Sequence, residues 1–313
     1  MRILTNPGSN LSAQTVAHYD IDLTPQQIVV DGVYHDTREA FDFAQIDRWV
    51  ATAKAHPYVL GTASSEFVQI FLQLAKKDPE VIAIMTSKKV IQSHSAAVAA
   101  VRALPTQSTT EGMRVDVVDS MTTDCGAALI TLAAAEARKA GLSRARVVEL
   151  LEVLARRSGL VVTVATLDNL IKGGRASFLR AWVANFLQMK PIISMVDGEL
   201  QSTGKITRHE DPAQRVAQTV LDAVGPKRPL WLGIAHGGAA DTGRRVLELL
   251  RQRVNIAYVY FRPFAPAIYL HVGPGAIGVA ALPIDDLPWT LPTPPTFADA
   301  STTVSFTVPL AGH

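Results

Sequence analysis

Val81-Ile82-Ala83-Ile84-Met85 is a continuous apolar run of strand length. A run with no polar alternation reads as a strand buried on both faces, the mark of a parallel sheet covered by helices. Its surroundings agree. Residues 66–77 before it and 95–104 after it read as helices. Further out, Arg2-Ile3-Leu4-Thr5 reads as a first strand, and Asn6-Pro7-Gly8-Ser9-Asn10 is strong turn chemistry. Residues 11–19 and 47–55 read as helices. Gln27-Ile28-Val29-Val30 reads as a strand that Asp31-Gly32 turns into Val33-Tyr34. Gly61-Thr62-Ala63-Ser64-Ser65 reads as a polar loop, with Ser64 or Ser65 capping the next helix. A strand at 115–119 and helices at 127–140 and 143–158 follow. This alternation predicts an α/β fold, with an N-terminal α/β domain over residues 1–159 built on a mostly parallel sheet.

The second half reads as a C-terminal α+β domain over 160–284, against which part of 60–80 is expected to pack. Strands are expected at 160–165, 191–196, 230–235, 255–260, 267–271 and 276–282. Helices are expected at 178–189, Pro212–Val224 and 241–253. Asp197-Gly198 is a hairpin signal, and Gly273-Pro274-Gly275 reads as a rigid turn between two strands. After Pro283 the composition shifts, with Pro288, Pro292, Pro294 and Pro295 close together. Residues 285–313 therefore read as a Pro-rich C-terminal extension, with an edge strand at 302–308.

The 313 residues suffice for a large core and two domains. A charged fraction of 19% against 48% hydrophobic excludes a disordered chain. A formal net charge of +2, without a long basic run, gives no support for nucleic-acid binding. Arg144, Arg146, Arg156 and Arg157 read as one solvated helix face. Cys125 is the only cysteine, so no intramolecular disulfide is available, and its place before Gly126-Ala127-Ala128 favours a buried structural thiol. There is no Cys/His cluster with zinc spacing, no secretory leader and no apolar run near membrane-span length. The expectation is a soluble cytoplasmic protein without a metal or a stable membrane anchor.

Chemistry gathers at the strand ends, where open α/β sheets bind ligands. These positions offer Thr5, Thr62, Ser87, Ser93, Asp119, Ser120, His236 and His271. With Arg175 they form a set suited to an anion and poor in what hydrolysis or metal catalysis needs. No Gly-x-Ser-x-Gly elbow, Walker-A loop or Gly-x-Gly-x-x-Gly loop is present. In Lys172-Gly173-Gly174-Arg175-Ala176-Ser177 two glycines permit a tight turn and close approach, the arginine offers a fork of donors, and Ser177 is placed to cap a following helix.

That stretch, Val118-Asp119-Ser120, Leu187-Gln188-Met189-Lys190-Pro191-Ile192 and His271-Val272-Gly273-Pro274-Gly275-Ala276-Ile277-Gly278, in this order, resemble the DegV family of bacterial fatty-acid-binding proteins. The resemblance spans roughly residues 1–283. It implies a two-domain fold with a pocket between the domains that holds one long-chain fatty acid such as palmitate. It also implies a carrier that catalyses nothing, needs no cofactor and presents the carboxylate to a separate fatty acid kinase for phospholipid metabolism, as a monomer or weak homo-oligomer. By position, Thr62 and His271 match the family's carboxylate ligands, and Ser93 is the hydroxyl nearest its serine. Arg175, with Gly173 and Gly174, is expected at the pocket mouth, facing a phosphate or the kinase. The tail is expected among side chains of 81–101 and the second-half sheet. Val90-Ile91-Gln92-Ser93, Thr5-Asn6-Pro7 and Thr62-Ala63-Ser64-Ser65 depart from the family's Ser-Gly-Thr, Thr-Asp-Ser and Thr-Ser-Gln-Pro patterns, which marks a divergent member. Dihydroxyacetone kinase substrate domains are similar in fold. This leaves a subunit for a small hydroxylated carbonyl compound, or a regulatory module without lipid, as alternatives.

Overall fold

The computed structural model describes residues 1–39, 41–104, 112–176, 189–225 and 228–297. The first part of the chain runs β1 (Arg2–Thr5), α1 (Ala13–His18), β2 (Ile21–Leu23), β3 (Gln26–Val30), β4 (Val33–Asp36), α2 (Phe43–Thr52) and β5 (Tyr58–Gly61). Next come α3 (Ser64–Ala75), β6 (Glu80–Met85), α4 (Ser93–Arg102), β7 (Arg114–Asp119), α5 (Asp124–Lys139) and α6 (Arg144–Arg157). Then follow β8 (Gly159–Thr163), α7 (Asp168–Lys172), β9 (Met189–Val196), β10 (Glu199–Thr207) and α8 (Pro212–Val224). The last elements are β11 (Pro229–His236), α9 (Ala240–Arg251), β12 (Asn255–Pro263), α10 (Pro266–Val272) and β13 (Ile277–Pro283).

The apolar run at β6 lies inside a four-stranded, wholly parallel sheet of order β2-β1-β6-β7. Val81 through Met85 are fully buried, as burial on both faces requires. A second sheet has six strands, β10-β9-β8-β13-β11-β12, and only β11 and β12 are parallel neighbours. A third sheet, of order β4-β3-β5, is antiparallel.

The alanine-rich α5 fills the space between the two larger sheets. Its Cys125, Leu129 and Leu132 share one core with Ile3 and Ile82 on one side and Trp231 on the other. Small residues let the layers come close: a Cβ added at Gly233 of β11 would sit 2.9 Å from the Cys125 Cβ. Burial raises the Cys125 thiol above its ordinary range, so it is a packed, inert group. Asp124, in the left-handed region at φ 50°, starts α5. Its carboxylate accepts from Asn10 Nδ2 (2.9 Å), the Cys125 N–H (2.8 Å) and the Ala265 N–H (3.0 Å). One buried side chain thus ties the β1 turn, α5 and the start of α10 together.

Several expectations need correction. Residues 267–271 are not a strand; they belong to α10. Pro266 occupies the first turn of that helix, where its missing N–H costs nothing. Tyr269 fixes it by stacking on Phe43 at 3.6 Å and donating to Asp47 at 2.9 Å. Gly273-Pro274-Gly275 therefore joins a helix to a strand. Neither Ser64 nor Ser65 caps α3: Ala63 is the N-cap, and the Glu66 carboxylate accepts from its N–H at 2.7 Å. The arginines of α6 are not one solvated face. Arg144 pairs with Asp116 and Glu80, and Arg157 donates to the Asp285 carbonyl. The Ser177 cap, the bulk of the 178–189 helix and the 302–308 strand lie outside the described residues.

Candidate functional site

The two glycine motifs meet. α7 ends in a Schellman turn, in which the Arg175 N–H bonds the Leu170 carbonyl at 2.8 Å and the Gly174 N–H bonds the Ile171 carbonyl at 3.1 Å. Gly174 takes the left-handed position of that turn, at φ 69°. Gly173 is required for a different reason. A Cβ there would fall 2.6 Å from Nδ1 of His271, in the last turn of α10. Asn169 of α7 completes the joint by donating to the Leu270 carbonyl at 3.2 Å.

His271 and Arg175 line one small cavity of about 40 Å³. Asn6, Gln26, Thr86 and Thr123 supply its other polar groups, and Val59, Val90, Ile91 and Ile268 its apolar wall. Asn6 and Thr86 stand at the carboxyl ends of the neighbouring parallel strands β1 and β6. They bond reciprocally: the Thr86 N–H donates to Asn6 Oδ1 at 3.0 Å, and Asn6 Nδ2 donates to Thr86 Oγ1 at 3.2 Å. The His271 Nδ1 is buried without a hydrogen-bond partner. Burial, reinforced by the charges of Arg175 and His56, holds this imidazole down at about 4. It is therefore neutral near pH 7, beside an exposed guanidinium. Burial and the charge of Lys172 also lower His56, and both of its ring nitrogens lack partners. Cations with unpaired imidazoles can receive an anion. Among the described residues, no group of three or more His, Cys, Asp or Glu side chains is placed to hold a metal. No described helix is long and apolar enough to cross a membrane.

Thr62 and Ser93 are not among the described cavity-lining residues. The Thr62 hydroxyl donates to the Pro25 carbonyl, and Ser93 opens α4 with its Oγ 3.4 Å from the Cβ position of Gly61. Ile91 Cδ1 is 3.8 Å from that same Gly61 position, next in sequence to Thr62. Of the 81–101 stretch, Thr86, Val90 and Ile91 line the cavity. Val81, Ala83, Met85, Ala97 and Ala100 are instead closed into a core with Phe67 and Phe71. Asn6, Gly8, Gln26 and Thr123 line the cavity without having been expected there. The turn chemistry of Asn6-Pro7-Gly8 was the available signal for the first two.

A wholly parallel sheet, a mixed six-stranded sheet and a small antiparallel sheet define the class: an α/β protein with a small cavity beyond the β1 and β6 ends. The DegV family profile, described as an uncharacterised protein of the DegV family, matches residues 1–283, and the chain belongs to that family. A DegV domain-containing protein of Staphylococcus aureus is 24% identical over 286 residues, covering 90% of this chain and 98% of its own. A DegV family protein from Thermus thermophilus, described for its fatty acid binding, superposes with a TM-score of 0.82 at 21% identity, over 90% of this chain and 100% of its own. A DegV lipid-binding protein from Thermotoga maritima gives 0.79 at 21% identity, over 90% and 98%.

Proposed function

We propose that this protein is a non-catalytic carrier. It binds one long-chain fatty acid between its two halves and presents the carboxylate to a separate fatty acid kinase. The observation that carries the reading is the pairing of His271 and Arg175 in one cavity with an apolar wall of Val59, Val90, Ile91 and Ile268. A neutral, partnerless imidazole suits a carboxylate as a donor, because charge-assisted hydrogen bonds are the strong ones, and the exposed Arg175 stands at the mouth of the same cavity. Thr62 and Ser93 join this head-group site when Ile91 moves aside. The same movement admits the tail, since about 40 Å³ holds a head group and no acyl chain. Arg175, exposed at the end of the Schellman turn, meets the phosphoryl group or the kinase.

Mass spectrometry of lipid extracted from the purified, denatured protein tests the carrier role. A stoichiometric fatty acid supports it; repeated absence of lipid, with no binding of added fatty acid, overturns it. Replacing Thr62 and His271 together with Ala should weaken fatty acid binding by at least about tenfold. Arg175→Ala should still bind lipid but fail to support phosphorylation. The size of the cavity is the one feature that favours a second reading, a small hydroxylated carbonyl ligand. Calorimetry with dihydroxyacetone separates the two.

A further inference from the structure

The parallel pair β11 and β12 of the six-stranded sheet is joined through α9. A strand, a glycine turn and a helix N-terminus in this order present free backbone N–H groups at the carboxyl end of the strand. Here the turn is His236-Gly237-Gly238, with Gly238 at φ 78°. The N-cap of α9 is Ala239, which offers no side-chain hydrogen bond. The Gly243 N–H closes the first turn on the Ala239 carbonyl at 3.2 Å. The N–H groups of Ala240, Asp241 and Thr242 thus precede the first helical bond without a capping side chain.

His236 ends β11 and opens this turn. It is 7% exposed, and neither ring nitrogen has a hydrogen-bond partner. Leu230, Leu232 and Ile234 share an apolar cluster with Val246, Leu247 and Leu250 of α9, and strand alternation puts His236 on that same face. Phe261 connects ring and helix. Its centroid is 5.4 Å from that of His236, and its edge is 3.1 Å from the Cβ position of Gly243. Two strands away in the same register row (Thr163, Ile277, His236), the Thr163 hydroxyl is also buried without a partner. Burial and the charge of Arg244 lower the His236 pKa, so the ring is neutral with one N–H to donate. Asp241, the acid in this turn, points into solvent and pairs with Arg244 at 2.6 Å.

We propose that the β11–α9 turn binds a phosphate-class oxyanion through the N–H groups of Ala240, Asp241 and Thr242 and the imidazole of His236. None of these residues lines the His271 cavity, although the turn packs on the end of α10, with the Cβ position of Gly237 3.1 Å from Tyr269 Cε2.

Inorganic phosphate titrated into the full chain, read by the imidazole resonances of His236, tests the proposal without any lipid. Saturable shifts of that ring are expected. His236→Gln should weaken phosphate binding by at least about tenfold. Ala239→Asp supplies its own carboxylate cap, so it should abolish binding while raising the melting temperature, which rules out misfolding as the cause. Tighter binding of methyl phosphate than of inorganic phosphate identifies a phosphomonoester, and the reverse identifies the free ion. Unmoved His236 resonances, or wild-type phosphate binding in either variant, overturn the proposal.

Discussion

The two walls of the His271 cavity are held in different ways. At the ends of β1 and β6 the wall is a matched pair of hydrogen bonds between Asn6 and Thr86. Across the cavity, α7 and α10 interlock because glycines leave room for a ring and an amide: Gly173 beneath His271, and Gly273 beside Asn169. The first wall depends on chemistry and the second on size. A substitution that keeps donors and acceptors should therefore spare the first and can still ruin the second.

The sharpest break is at Gly173. A Val there drives a methyl-bearing Cβ into the imidazole, and about 3 kcal/mol of unfolding free energy should be lost, measured by urea denaturation. Next, Asn6→Ala leaves the buried Thr86 N–H unpaired and should cost about 2 kcal/mol, although it adds no volume. A comparable change comes from pH. The His271 imidazole sits at about 4 in the folded chain against 6.5 ordinarily. As pH falls from about 6.5 toward about 4, the unfolded chain takes up a proton that the folded chain refuses. Stability should then fall by an amount on the order of 2 kcal/mol, and His271→Gln should flatten the profile. The smallest effect is expected at Gly174, where an added Cβ meets nothing but the backbone has positive φ. Gly174→Ala should cost about 1 kcal/mol from strain alone, with His271 undisturbed.

Much of the fold could be read from the chain because it is written locally. The β6 run fixed the parallel sheet. Pro212–Val224 carries its own cap, Asp211, and its own apolar stripe. Both hairpin turns, Asp31-Gly32 and Asp197-Gly198, show the paired positive φ angles their sequences demand. α10 departs from the expected strand: Ala267-Ile268-Tyr269-Leu270-His271 has strand-like composition, but the partners that decide it, Phe43 and Asp47, lie far away in sequence. Of the residues expected at a ligand, His271 and Arg175 line the cavity and Thr62 and Ser93 do not. Thr5 and Ser87 were the strand-end hydroxyls expected at the ligand, yet their neighbours Asn6 and Thr86 face the cavity. Alternation ceases where a strand ends, so no periodicity tells which side chain turns inward.

The place of β13 has a consequence for how the chain reaches its native state. It is the last strand among the described residues, yet it sits inside the six-stranded sheet and pairs with β8 on one side and β11 on the other. During synthesis the ribbons β10-β9-β8 and β11-β12 must each wait with an open edge, and neither can close until residues 277–283 leave the ribosome. Closure by so distant a segment is slow, and open edges invite pairing between chains. A chain stopped just before Ile277 should therefore self-associate instead of forming half a protein, which makes the final strand the gatekeeper of solubility for the whole second sheet.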